Sequence, residues 1–104
     1  MDELKVITAI FNPGKIVVTA GVSNRCMNDS DFHKFVISSC ARHLQGDWGD
    51  LEYEEDRKAN DAAVKEGDFR IMSAYNYGDD PKETIWIITE GDHSATTVLF
   101  PSEY

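Results

Sequence analysis

Thr84-Ile85-Trp86-Ile87-Ile88-Thr89-Glu90 is the stretch that decides the fold. It is β-branched and aromatic throughout, and it lies between two turn signals, Gly78-Asp79-Asp80-Pro81 and Gly91-Asp92-His93. A short run of that composition between turns reads as a buried strand. Before it, residues 69–77 alternate, with Phe69, Ile71, Ser73, Tyr75 and Tyr77 on one side. After it, Ala95 to Phe100 returns and Pro101 stops the run. Three strands joined by short turns predict an antiparallel meander. Since neighbouring strand residues face opposite sides, either Ile85 and Ile87 or Trp86 and Ile88 should enter the core.

Upstream the period changes. Phe32, Phe35, Val36, Ser39, Cys40 and Leu44 recur at helical spacing behind the N-cap signal Asp29-Ser30-Asp31. Gly46 ends that helix, with Arg42 and His43 in its last turn, where cations suit the helix dipole. A second helix is expected from about Leu51 to Glu66, capped by Asp47 or Asp50 and ended by Gly67. Ala59, Ala62, Ala63 and Val64 give it a small-residue inner surface. Lys15 to Thr19 reads as a strand; the apolar run Leu4 to Phe11 could pair with it in a hairpin across Asn12-Pro13-Gly14, or could equally be a loose terminal segment. Residues 20–30 read as a loop. The expected architecture is one α+β domain, 1–104. Its antiparallel sheet, the C-terminal meander plus one or two N-terminal strands, is covered by two helices.

The 104-residue chain carries net charge −9, unevenly spread. Residues 1–46 hold four acids and five bases, residues 47–68 nine and three, and residues 69–104 six and two. The acid begins abruptly at Asp47. Such a surface repels phosphates and anionic membranes and attracts basic protein surfaces. No apolar run approaches membrane-spanning length, and the acidic start Met1-Asp2-Glu3 lacks the basic region of a secretion signal. The expectation is a cytoplasmic protein that binds neither nucleic acid nor membrane directly. Cys26 and Cys40 form no CxxC pair and have no His at metal spacing. Cys40 reads as a buried reduced thiol, with a disulfide or a catalytic thiol as alternatives.

Arg42-His43-x-x-Gly46-Asp47-Trp48-Gly49-Asp50, then Glu55-Asp56 and Asn60, then Ser73-Ala74-Tyr75, lead to a long C-terminal pattern. That pattern is Ile85-Trp86-Ile87-Ile88-Thr89-Glu90-x-Asp92-x-Ser94-x-Thr96-Thr97-x-Leu99-x-Pro101-x-Glu103-Tyr104. Together these resemble a family of small plasmid-related bacterial proteins, found on plasmids and conjugative elements. The resemblance covers residues 42–104 and implies mobile-element biology. It carries no established activity. It also leads one to expect Arg where this chain has His93.

Four constellations could carry chemistry. Arg42, His43, Asp47 and Asp50 could form an acid–base cluster, the His as general base beside a carboxylate; each residue also has a local use at a helix end, and that reading is adopted. Asp47, Asp50, Glu52, Glu54, Glu55 and Asp56 could hold a divalent cation, but the run lacks the calcium-loop pattern and successive helical residues diverge. It reads as a solvated acidic face. Glu90, Asp92, His93 and Ser94 read as a turn held by its own side chains. Trp48, Trp86, Tyr75 and Tyr77 lack the basic patch that base stacking requires; Trp86 reads as core packing and Trp48 as a lid over the helix pair. Neither catalytic residues nor a cofactor nor a metal site is assigned.

The functional expectation is a mobile-element-encoded acidic interaction protein, most concretely an anti-CRISPR or anti-restriction inhibitor. It would occupy a basic nucleic-acid-binding surface of a nuclease, such as a Cas nuclease or restriction enzyme. Duplex DNA carries one charge per ~1.7 Å of axis, which a row of carboxylates can imitate. The expected partner-binding residues are Asp47, Trp48, Asp50, Glu52, Glu54, Glu55 and Asp56. The alternatives are a small enzyme using His43 with Asp47 and a plasmid accessory protein without a nuclease target.

Overall fold

The meander forms as its alternation requires. In the computed structural model, which describes residues 9–104, β2 (Ile71–Tyr77), β3 (Glu83–Thr89) and β4 (Ala95–Leu99) pair antiparallel in sequence order. The register sets Tyr75 opposite Ile85, Ser73 opposite Ile87, and Ile87 opposite Val98. Ile85 and Ile87 therefore face the helices and are fully buried, while Trp86 turns to the other face against Tyr104. Ile88, on that second face, is buried too.

β1 (Lys15–Val18) joins the sheet beside β4, giving the order β1-β4-β3-β2. Its pairing is parallel, so the sheet is mixed rather than wholly antiparallel. The cause lies in Asn12-Pro13-Gly14. This segment docks on the β3–β4 turn instead of folding β1 back in a hairpin with residues 9–11. Lys15 N–H donates to the Ser94 carbonyl, and the Thr96 hydroxyl donates to the Pro13 carbonyl. Gly14 sits at φ +65, where a Cβ would stand 2.2 Å from the His93 carbonyl oxygen; only glycine permits that approach. Most of the apolar run from Leu4 to Phe11 lies outside the described residues, and its last three residues form no strand.

The helices differ from expectation in number. α1 (Ala20–Asn28) occupies the segment read as a loop. Thr19 caps it by accepting the Val22 N–H, and Val22 is fully buried. Gly21, Asn24 and Asn28 are poor helix formers, so tertiary burial of Val22 decides the matter. α2 (Ser30–Leu44) starts at Asp29, whose carboxylate accepts the N–H groups of Asp31 and Phe32. Arg25 of α1 donates to Asp29 and to Glu83, locking the α1–α2 corner onto β3. α3 (Glu54–Glu66) ends at Gly67 as expected but has no side-chain cap; Tyr53 holds the N-cap position.

Two apolar clusters result. Val22, Phe32, Val36, Tyr75, Ile85, Ile87 and Val98 form the larger, between α1, α2 and the sheet. Full burial of side chains of this kind contributes roughly 1.5–3 kcal/mol each. Phe11, Trp48, Ala63 and Ile71 form the second, under α3. Burial pushes the Cys40 thiol up to about 11, so it stays protonated at neutral pH. Cys26 and Cys40 are both free.

Candidate partner-binding face

The acidic segment begins where α2 ends, and its first residues are fixed from three sides. Arg42 donates from Nε and Nη2 to the two carboxylate oxygens of Asp47, at 2.7 and 3.1 Å. Its guanidinium also lies 4.9 Å from the Tyr75 ring centroid. The Tyr75 hydroxyl donates to the Asp47 carbonyl at 2.6 Å. Arg42 thereby holds the Asp47 carboxyl below the usual carboxylate range.

From there the chain runs along the outer edge of β2. Ala74 N–H donates to the Trp48 carbonyl, and Asp50 N–H donates to the Ala74 carbonyl. The Asp50 carboxylate accepts the Asn76 N–H at 2.9 Å. One step along the edge, Asn60 of α3 accepts the Met72 N–H and donates to its carbonyl. The outward backbone of β2 at Met72, Ala74 and Asn76 is thus engaged by the loop and α3, which closes an edge open to strand pairing. Arg57 ties loop to helix by donating to the carbonyls of Gly49 and Leu51. Gly49 lies at φ +72, and a Cβ there would meet the Ala74 carbonyl oxygen at 2.1 Å.

This arrangement corrects several sequence readings. Neither Asp47 nor Asp50 caps α3: the first serves Arg42 and the Gly49 N–H, the second serves β2. Trp48 does not belong to a partner surface. It is 4% exposed, packs on Phe11, and donates its indole N–H to Asp61. Its apolar bulk is needed to seat the loop on the second core cluster. Asp47, Asp50, Glu52, Glu54, Glu55 and Asp56 are all exposed, as a solvated face requires. Among the described residues, the last four enter no ion pair.

His43 has a different fate. It is fully buried, with Phe11 and Trp48 edge-on to its ring. Nδ1 meets the Ser73 hydroxyl, and Nε2 meets Thr89 Oγ1 at 2.9 Å. Thr89 in turn meets Thr96, whose hydroxyl donates to the Pro13 carbonyl. That last acceptor fixes the direction of the whole chain. Thr96 spends its proton on Pro13, so Thr89 donates to Thr96 and Nε2–H donates to Thr89. Nδ1 is then the acceptor for the Ser73 hydroxyl. A satisfied neutral imidazole in an apolar shell resists protonation, and burial lowers its pKa to about 4. Both ring nitrogens are occupied, neither by Asp47, so the structure does not bring the His43–Asp47 acid–base pair together. The residues that complete this network, Ser73, Thr89 and Thr96, fall within the pattern that carries the family resemblance and alternate toward the helical face, but nothing in the sequence pairs them with His43.

The remaining clusters are structural. At the β3–β4 turn, Asp92 accepts the Ser94 N–H and His93 Nδ1–H donates to the Asn12 carbonyl. His93 itself sits at φ +60. Tyr77 packs on Phe32 and Phe35, on the opposite face from Trp86, so the aromatics do not align as a platform. Among the described residues, no group of three or more His, Cys, Asp or Glu stands together as metal ligands. Nor is any helix among them long and apolar enough to cross a membrane. Searches for similar proteins found no matching protein-family model, no matching curated protein and no matching solved structure.

Proposed function

We propose that this protein is an acidic interaction protein of a mobile element, acting as an anti-defence inhibitor. It presents its carboxylate face to the basic nucleic-acid-binding surface of a Cas nuclease or restriction enzyme. One observation carries the reading: Asp47, Asp50, Glu52, Glu54, Glu55 and Asp56 are all exposed within ten residues. The loop that bears the first two is already ordered by Arg42, Tyr75 and the β2 edge. Binding through it needs little further ordering, which favours affinity. The resemblance of residues 42–104 to plasmid-related proteins suggests the biological setting, and a phosphate-mimicking surface suggests the target class.

The test compares the parent with a variant in which Glu52, Glu54 and Glu55 become Gln and Asp56 becomes Asn. Both are assayed against a panel of Cas nucleases and restriction enzymes over a salt series. One exposed ion pair contributes ~0–1 kcal/mol, so losing four lowers affinity by up to about three orders of magnitude. Inhibition by the parent should also weaken as salt rises. A folded variant that inhibits as well as the parent excludes carboxylate mimicry. A parent that inhibits no member of the panel removes the anti-defence reading.

A further inference from the structure

The two ends of the sheet are finished differently. The β2 end is closed by Asn60, the Trp48–Asp50 segment and the Asp50 carboxylate. At the β1 end, the N–H groups of Lys15 and Thr19 point inward to the carbonyls of Ser94 and Val98. Strand alternation therefore turns the N–H and C=O of Ile16 and Val18 outward. Among the described residues, no strand pairs with that outer side.

Several large apolar side chains around this edge are exposed, beside Lys15 on the strand and Ser23 and His33 in the adjoining groove. Ile16 is 48% exposed, Val18 45%, Met27 81% and Ile37 58%, half of the exposed large apolar side chains among the described residues. Three of them, Val18, Met27 and Ile37, converge on one groove, and Ile16 lies two residues before Val18 on the same side of β1, unlike the scatter of single apolar residues that ordinary surfaces show. Val18, Met27 and Ile37 line a groove of about 350 Å³ between α1 and α2, with Cys26, Val36 and Cys40 also in its lining.

We propose that this edge and groove form the interface with a second copy of this chain, β1 pairing antiparallel with β1 across a two-fold axis. The edge is complementary to itself. With the axis at Val17, Ile16 of each copy stands opposite Val18 of the other, and their outward groups exchange four hydrogen bonds in the antiparallel pattern. The side chains of Ile16 and Val18 then meet their counterparts on the helical face, beside Met27 and Ile37. Charge favours the same occupant. Residues 9–46 hold two acids against four bases, whereas residues 47–68 hold nine against three. The sheet order sets β1 and β2 at opposite ends, so copies joined at β1 keep their acidic segments at the far ends of an eight-stranded sheet. Association through any face bearing residues 47–68 would oppose like charges. This inference is independent of the proposed inhibitory role.

Sedimentation equilibrium of the full chain over a dilution series, at low and high salt, tests it. The expected species at the concentrated end has twice the chain mass of 11.7 kDa. Salt should leave the association intact or strengthen it, because it screens repulsion between two chains of charge −9. Binding of a basic partner responds in the opposite sense. I16K/V18K should halve the mass with its circular dichroism unchanged, and M27K/I37K, on exposed helix positions, should weaken the dimer independently of folding at β1. In the parent, the Ile16 and Val18 amides should exchange slowly when concentrated and quickly when dilute. A mass of 11.7 kDa throughout overturns the proposal. So does a dimer that survives both lysine pairs, or one in which those two amides stay unprotected.

Discussion

Asn60 and Met72 share two hydrogen bonds: Asn60 Nδ2 donates to the Met72 carbonyl at 2.6 Å, and the Met72 N–H donates to Asn60 Oδ1 at 3.1 Å. A side-chain amide on α3 thus stands in for a neighbouring strand at the edge of β2. Asn60 is 5% exposed, so water cannot readily replace it.

Asn60→Ala should therefore leave two partly buried backbone groups unpaired. The expected cost is about 2–4 kcal/mol, at roughly 1–3 kcal/mol for each orphaned group with some relief from water. Asn60→Asp keeps the acceptor, loses the donor and buries a charge, so it should also destabilise. Urea unfolding of the three proteins measures this; a cost under half a kcal/mol for Asn60→Ala would show that the clasp is dispensable.

Gly49 and Gly67 provide an internal contrast. Both have positive φ, +72 and +87. A Cβ at Gly67 meets nothing within 4 Å, so Gly67→Ala should cost only the backbone preference, about 1 kcal/mol. A Cβ at Gly49 strikes the Ala74 carbonyl oxygen and the Tyr75 ring. Gly49→Ala should cost clearly more, about 3 kcal/mol or above, as the loop lifts from β2. Thermal melts that rank the two variants equally would contradict the edge contact.

His43 makes stability depend on pH with a definite sign. Its folded pKa is about 4, below the ordinary 6.5. Between those values the unfolded chain binds more protons than the folded one, so stability rises with pH across the window. Its contribution is complete above 6.5 and is lost as pH falls toward 4, by about 3 kcal/mol in all. The carboxyls of Asp29, Asp47, Asp92 and Glu103 are also lowered, and their contributions disappear as pH falls below the ordinary carboxylate range. Denaturant unfolding from pH 4 to 7 should show a slope above pH 5 that His43→Leu abolishes. Equal slopes in parent and variant would mean that another group titrates there.

The exposed Arg42–Asp47 pair should matter far less than its two-point geometry suggests. Both side chains are about half exposed, 43% and 51%. Asp47→Asn should cost no more than about 1 kcal/mol, and half-molar salt should narrow the difference from the parent. Guanidinium-free unfolding in urea keeps the comparison clean. A loss above 2 kcal/mol would show that Asp47 organises the whole loop.

Local chemistry determined much of this protein. Alternation and turns specify β2, β3 and β4; the Asp29 cap and helical spacing specify α2; and the abrupt acid at Asp47 marks the exposed face. These signals act over a few residues, where period and capping dominate. Tertiary structure decided the rest. α1 forms from a weak helical sequence because Val22 is buried against the sheet. β1 runs parallel because Pro13 and Gly14 dock on a turn some 80 residues away. His43 belongs to Ser73 and Thr89, and Asp50 belongs to Asn76. A helix-end His or a loop Asp has a plausible local partner in its own sequence. For His43 burial overrides that choice, because an unpaired polar group inside the fold costs more than a missing cap at its surface; Asp50 stays exposed and is drawn instead to the edge of β2, where the Asn76 N–H needs an acceptor.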